Sequence, residues 1–141
     1  INLGGNVLCI GGRPDGEPFK VGVQKPFADR NETAAVVDIN GRSVVSSGIY
    51  ERCFKQDGKL YHHILDPHTG YPYDNGLISV TIISDRSVDG DALSTTCFAL
   101  GLKKGLAFAE KKGVQAVFIT KDYELHYTKD FQKKIKVSQV D

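Results

Sequence analysis

Asn40-Gly41 stands between two apolar, β-branched runs, Ala34–Ile39 and Arg42–Ser46. Asn and Gly best tolerate the positive φ angles of a two-residue type I′ turn, so this stretch predicts an antiparallel hairpin. Similar runs recur along the chain. Val7–Ile10 is a short apolar stretch flanked by glycines, Phe19–Gln24 alternates, Leu77–Ser84 is rich in β-branched residues, and Val114–Thr120 reads as a buried strand. Arg13-Pro14-Asp15-Gly16 and Lys121-Asp122 supply turns, the second sending Tyr123–Tyr127 back along the preceding strand.

Helix is expected after Ser84. Asp89 is the predicted N-cap, with Asp91 in the first turn, where negative charge suits the helix dipole. Ala92, Leu93, Thr96, Cys97, Leu100 and Leu102 form an apolar face, and Gly101 is expected to break or bend the segment. A second helix, about Lys103 to Lys112, places Leu106, Phe108 and Ala109 inward and ends at Gly113, a natural C′ residue. Many strands with a helix pair define an α+β domain built on a mostly antiparallel sheet.

The composition excludes several classes. A formal net charge of +1 over 141 residues gives no support for nucleic-acid binding. No apolar run approaches the roughly 20 residues of a membrane span. Cys9, Cys53 and Cys97 match no metal or redox spacing, so Cys97 is expected in a helix core and the other two on strands. Lys133, Lys134 and Lys136 are expected to be a solvated face. The chain opens on Ile1 and contains no Met, so it is expected to come from within a longer domain.

The chemistry concentrates in two places. Tyr61-His62-His63-Ile64-Leu65-Asp66-Pro67-His68-Thr69-Gly70 packs three imidazoles, a carboxylate and a hydroxyl into one strand-to-turn segment. On an extended strand His63 and Leu65 face one side and His62 and Ile64 the other, so one imidazole alone enters a given cleft. His63 is the candidate proton acceptor, His62 and His68 are expected at the surface, and Asp66 is expected to bind local backbone N–H groups in a tight turn. Zinc is a rival reading, since His62, His63, Asp66 and His68 are legitimate ligands; diverging adjacent histidines and the lack of any HExxH spacing argue against it.

The second place is Asp89-Gly90-Asp91-Ala92-Leu93-Ser94-Thr95-Thr96. Asp91 and Thr95, four apart, present a carboxylate and a hydroxyl on one helix face. Such hard oxygen donors suit Mg²⁺, and a helix start favours a phosphate; equally, Asp91 can complement the dipole while Thr95 back-bonds to the helix. Gly4-Gly5-Asn6 and Ser47-Gly48 are further candidates, because glycine lets backbone approach a flat or phosphorylated ligand. Arg52 can pair with phosphate or form a surface ion pair. No GxGxxG or Walker loop is present.

In this order, Asn2-Leu3-Gly4-Gly5-Asn6, Ser47-Gly48-Ile49-Tyr50-Glu51-Arg52, the Tyr61–Pro72 segment and Asp91-Ala92-Leu93-Ser94-Thr95 resemble the FAD:protein FMN transferase (ApbE) family. The similarity covers about Ile1 to Thr120. It implies an ApbE-like (T-fold-like) flavin transferase fold and an enzyme that binds FAD with Mg²⁺, cleaves its diphosphate and transfers FMN to a Ser or Thr hydroxyl. AMP is released, and the acceptor is typically a flavoprotein subunit of a membrane redox complex. By motif position Asp91 and Thr95 are implied as Mg²⁺ ligands and His63 as the catalytic histidine. Gly4, Gly5, Ser47 and Gly48, with His63, are implied to lie near the flavin. Some members instead hydrolyse FAD to FMN and AMP, and a flavin-binding module without catalysis is a further alternative. Position 90 is Gly where the family commonly has Ala. Members run to roughly twice this length, which makes residues 1–141 the expected carboxy-terminal part of such a domain, with the amino-terminal part absent. A place in the cell envelope is implied by the resemblance.

Overall fold

The computed structural model describes residues 1–29 and 31–139. The strands are β1 (Asn6–Leu8), β2 (Phe19–Gln24), β3 (Thr33–Ile39), β4 (Ser43–Gly48), β5 (Cys53–Gln56), β6 (Lys59–His62), β7 (Leu77–Ser84), β8 (Gln115–Thr120), β9 (Leu125–Tyr127) and β10 (Val137–Gln139). Two helices, α1 (Ser87–Lys111) and α2 (Phe131–Lys134), complete the described elements. A five-stranded antiparallel sheet runs β1-β4-β7-β8-β9, a three-stranded sheet runs β10-β3-β2, and β5 and β6 form a separate hairpin. The α+β expectation holds.

The five-stranded sheet is the middle layer. Strand alternation divides β7 and β8 between two cores. Val80, Ile82, Ala116 and Phe118 meet Cys97, Phe98 and Ala109 of α1. Ile83 and Val117 face the other way, against Val37 and Ile39 of the three-stranded sheet and Phe131 of α2. All eight residues of β7 are therefore buried, which accounts for its near-continuous apolar run.

The expected β3–β4 hairpin does not form. β3 lies between β10 and β2, and β4 between β1 and β7, so both edges of each strand are already paired. Asn40-Gly41 instead carries the chain from one sheet to the other. Gly41 has φ +61° and Asn40 is outside the positive-φ region, so the type I′ geometry is absent. The Gly41 N–H donates to the Gly11 carbonyl at 3.0 Å, and Cys9 N–H donates to the Arg42 carbonyl at 2.9 Å. Long-range pairing overrides a strong local turn preference here. Cys9 is buried one residue beyond β1, Cys53 is exposed on β5, and burial pushes the Cys97 thiol up to about 11.

The helix also starts earlier than the sequence suggests. Arg86 is the N-cap, without a side-chain capping bond, and Asp89 sits in the first turn, so Asp91 falls in the second. Neighbouring elements anchor this end instead. Ser87 Oγ donates to Asn6 Oδ1 at 2.7 Å, and Ser84 Oγ donates to the Arg86 carbonyl at 2.9 Å. The C-terminus follows expectation. Gly113 N–H bonds the Glu110 carbonyl at 3.0 Å and Val114 N–H the Ala109 carbonyl at 3.2 Å, a Schellman pair.

Gly101 bends α1, with φ 74° and ψ 174° inside the helical run, giving the expected helix pair. The bend brings the second half back against the first. A Cβ at Gly105 would lie 2.6 Å from the Cys97 carbonyl oxygen and 2.8 Å from Phe118 Cε1. Gly105→Ala gains up to about 1 kcal/mol of helix propensity, against overpacking of about 1–3 kcal/mol. The carbonyl is held by the bend, so overpacking wins. The urea midpoint is expected to fall; an unchanged or higher midpoint would show that the bend relaxes freely.

Candidate active site

Three segments converge at one corner of the five-stranded sheet. The Gly5 carbonyl accepts the Ser46 N–H at 2.9 Å, with Gly5 at φ +90°, and Gly4 N–H donates to Asn2 Oδ1 at 3.1 Å. The glycine loop is thereby fixed beside the end of β4. The next residue, Ser47, reaches α1. Its Oγ lies 2.8 Å from Ser94 Oγ and 3.0 Å from Thr95 Oγ1. Gly48 lets Tyr50 lie flat, because a Cβ there would be 2.6 Å from the ring.

Proton counting orders this hydroxyl chain. Ser94 Oγ bonds the Asp91 carbonyl at 3.1 Å, and a carbonyl only accepts, so Ser94 donates its proton there. Ser47 must then donate to Ser94, and Thr95 to Ser47. Thr95 Oγ1 is left with lone pairs directed away from its own proton. One turn back on the helix is the exposed carboxylate of Asp91. This all-oxygen set fits a hard cation such as Mg²⁺, which takes few protein ligands and keeps positions for water and phosphate oxygens. Ser94 was missed as a functional candidate; its signal was a hydroxyl three residues after Asp91, on the helix face turned toward β4.

Gly90 explains the one departure within the motif. A Cβ at this position would lie 2.7 Å from Val45 Cγ2 and 2.9 Å from Ser84 Oγ. Glycine allows α1 to approach β4 closely, in the same region where Ser47 meets Ser94 and Thr95.

The histidine segment divides as strand alternation predicts, but with one reversal. His63 is exposed and His62 is buried, at 7% exposure. His62 is therefore not a surface residue. Its ring stands edge-on to Phe98 of α1, with centroids 6.1 Å apart. Ile64 N–H donates to His62 Nδ1 at 3.3 Å, so Nε2 carries the proton and donates to the Tyr73 carbonyl at 3.0 Å. Both nitrogens are engaged, which removes His62 from any metal set. Among the described residues no three His, Cys, Asp or Glu side chains gather as a metal site.

His63 Nδ1 lies 3.3 Å from the Arg52 carbonyl. That bond requires a proton on Nδ1 and leaves the Nε2 lone pair open. The following turn matches expectation, with Asp66 Oδ1 accepting the His68 N–H at 2.9 Å and the Asp66 carbonyl accepting the Gly70 N–H at 2.8 Å. Gly5, Ser47, Gly48, Asp91 and Thr95 share the corner. No hydrogen bond or ion pair among the described residues links His63 to it; the segment meets α1 through His62.

Burial lowers the His62 pKa; the Tyr73 carbonyl opposes this, and the smaller influences are His63 and Lys121, which lower it, and Asp74, which raises it. A depressed imidazole pKa means the unfolded chain binds more protons. Stability is then full above the unfolded value, near 6.5, and is lost as pH falls below it toward the folded value. Urea midpoints from about pH 7.5 to about pH 5 should fall more steeply in the wild type than in His62→Gln. Equal slopes would show that His62 does not contribute.

The ApbE family model matches residues 1–118, and the chain belongs to that family. It is 49% identical over 126 residues to the FAD:protein FMN transferase of Klebsiella pneumoniae (strain 342), covering 89% of this chain and 38% of that protein. The FAD:protein FMN transferase of Treponema pallidum (strain Nichols) is 38% identical, covering 97% and 40%. The ApbE protein of Thermotoga maritima superposes with TM-score 0.83 at 34% identity, over 92% of this chain and 42% of its own. The flavinyl transferase ApbE of Pseudomonas stutzeri gives TM-score 0.74 at 34% identity, over 93% and 41%. The chain thus spans about two fifths of the length of these relatives.

Proposed function

We propose that this chain supplies the carboxy-terminal, reacting part of a Mg²⁺-dependent enzyme that transfers FMN from FAD to a Ser or Thr hydroxyl of a target flavoprotein and releases AMP. The observation that carries the reading is the corner at which Ser47, Ser94 and Thr95 hydroxyls chain together one turn from Asp91. Asp91 and Thr95 would hold the cation, and Ser47 would hold Thr95 in the rotamer that turns its lone pairs outward. A bound Mg²⁺ supplies neutralisation of charge on the diphosphate and on the departing AMP. The backbone at Gly4-Gly5 and Gly48 would border the flavin.

His63 would take the acceptor proton at Nε2, its tautomer set by the Arg52 carbonyl. The acceptor oxygen bonds the FMN phosphorus, the phosphoanhydride bond to AMP breaks, and AMP leaves with the electron pair. Exposure of His63 also admits water, which favours FAD hydrolysis to FMN and AMP as the second reading. A membrane redox subunit as acceptor would place the protein at the cell envelope. None of the described helices is long and apolar enough to cross a membrane.

The test joins this chain to the preceding part of the Klebsiella pneumoniae relative and supplies FAD, Mg²⁺ and a threonine peptide. Covalent flavin on the peptide with an equal amount of AMP is the expected result. AMP with free FMN alone would establish the hydrolase. No turnover, with flavin still bound, would leave a binding module.

A further inference from the structure

His63 does not stand alone on its surface. Alternation along β6 and beyond turns Leu60, His62 and Ile64 inward and Tyr61, His63 and Leu65 outward. Across the hairpin, Phe54 is opposite Tyr61, and their rings stack at 5.2 Å and 9°. Phe54 is 60% exposed, Leu65 51% and Tyr71 60%. Lys59 Nζ lies 5.6 Å from both the Tyr61 and the Tyr71 ring centroids, joining Tyr71 to the patch. By the same alternation the charged residues on this face are Lys59 and Arg52, and neither is in an ion pair among the described residues. An aromatic, cationic patch surrounding one imidazole is costly to expose and marks an interaction surface.

We propose that this outward face is the docking surface for the acceptor protein. It takes an extended segment whose hydroxyl residue sits over His63, whose apolar side chains two positions to either side cover Tyr61 and Leu65, and which carries an acidic residue toward Lys59. The proposal rests on His63 being the group that receives the acceptor proton. The spacing follows from strand geometry. Residues two apart on a strand are about 7 Å apart, so a strand-like segment matches Tyr61, His63 and Leu65 in register. Stacked Phe54 and Tyr61 form an aromatic platform, and Lys59 and Arg52 select against a basic segment, with Asp74 the carboxylate near enough to share the Lys59 charge.

The test is an NMR titration of the ¹⁵N-labelled 141-residue chain. The probe is a synthetic peptide with one threonine, leucines two positions to either side and an aspartate beyond one of them. Amide shifts are expected at Phe54, Lys59, Tyr61, His63 and Leu65. Lys59→Glu, which leaves the Phe54–Tyr61 stack in place, is expected to weaken binding about tenfold, and Phe54→Ser by at least as much. Exchanging the peptide aspartate for lysine should mimic Lys59→Glu. Absent shifts, or shifts centred elsewhere, overturn the proposal. The same shifts from FAD alone would make the patch a flavin surface, and self-association lost in Phe54→Ser would make it a face between copies; either overturns it. Peptide docking with no flavin transfer in the joined protein would remove the transferase reading and leave the docking surface standing.

Discussion

In the protein joined to the preceding part of its relative, Asp91→Ala is expected to lower the proposed FMN transfer by on the order of 10²–10³ while the chain remains folded. Asp91 lies on the solvent side of the second turn of α1, while the helix packs through Cys97, Phe98 and Ala109. Removing an exposed carboxylate changes stability by no more than about 0.5 kcal/mol. The rate loss would arise because the carboxylate is the one anionic donor proposed for the cation, the other proposed ligand being the Thr95 hydroxyl. Hydroxyls alone hold a divalent cation weakly, and several kcal/mol of charge neutralisation on the diphosphate goes with it. Raising Mg²⁺ should restore part of the activity. Transfer at the wild-type rate and unchanged Mg²⁺ dependence would remove Asp91 from the cation site.

In the same joined protein, His63→Ala is expected to slow the proposed transfer by roughly 10²–10⁴ and to change FAD affinity much less. The imidazole is tied to the Arg52 carbonyl through Nδ1 and presents Nε2 outward from the hairpin. Among the described residues it makes no hydrogen bond to the Ser47–Thr95 corner, so its removal leaves that corner intact. A hydroxyl nucleophile is weak at its free pKa and depends on a base. The split between rate and binding is the diagnostic readout. Equal losses in transfer and FAD affinity would make His63 a ligand-binding residue. His62→Gln provides the contrast, since His62 is engaged with Tyr73 and Ile64 and acts on the fold.

Local pattern foretold what local physics decides. Phe19–Gln24 and Leu77–Ser84 are strands with the expected bounds, because alternation and β-branching need no knowledge of partners. Gly101 and Gly113 ended and bent helices where expected, since backbone conformation is a property of the residue. The misses all depend on distant partners. Asn40-Gly41 failed to make a hairpin because β3 and β4 had other neighbours on both edges. Asp89 lost the N-cap position because the helix begins at Ser87, which Asn6 holds from 81 residues away. His62 was misjudged because alternation says that two adjacent histidines diverge, and only the packing of Phe98 says which one is buried. At the site, the Asp91–Thr95 face was legible from i, i+4 spacing. The link to Ser47 joins residues 48 apart in sequence and required the fold.

The proposed cation site is Asp91 and Thr95, steadied by Ser47. Its most direct test uses Mn²⁺ in place of Mg²⁺ on the ¹⁵N-labelled chain, with paramagnetic broadening of amide signals as the readout. Broadening is predicted to centre on Ser47, Gly48, Asp91, Ser94 and Thr95, to be displaced by Mg²⁺, and to vanish in Asp91→Ala. Broadening centred instead on the Asp66–Gly70 turn or on Asp85 and Asp89, and undiminished in Asp91→Ala, would contradict it.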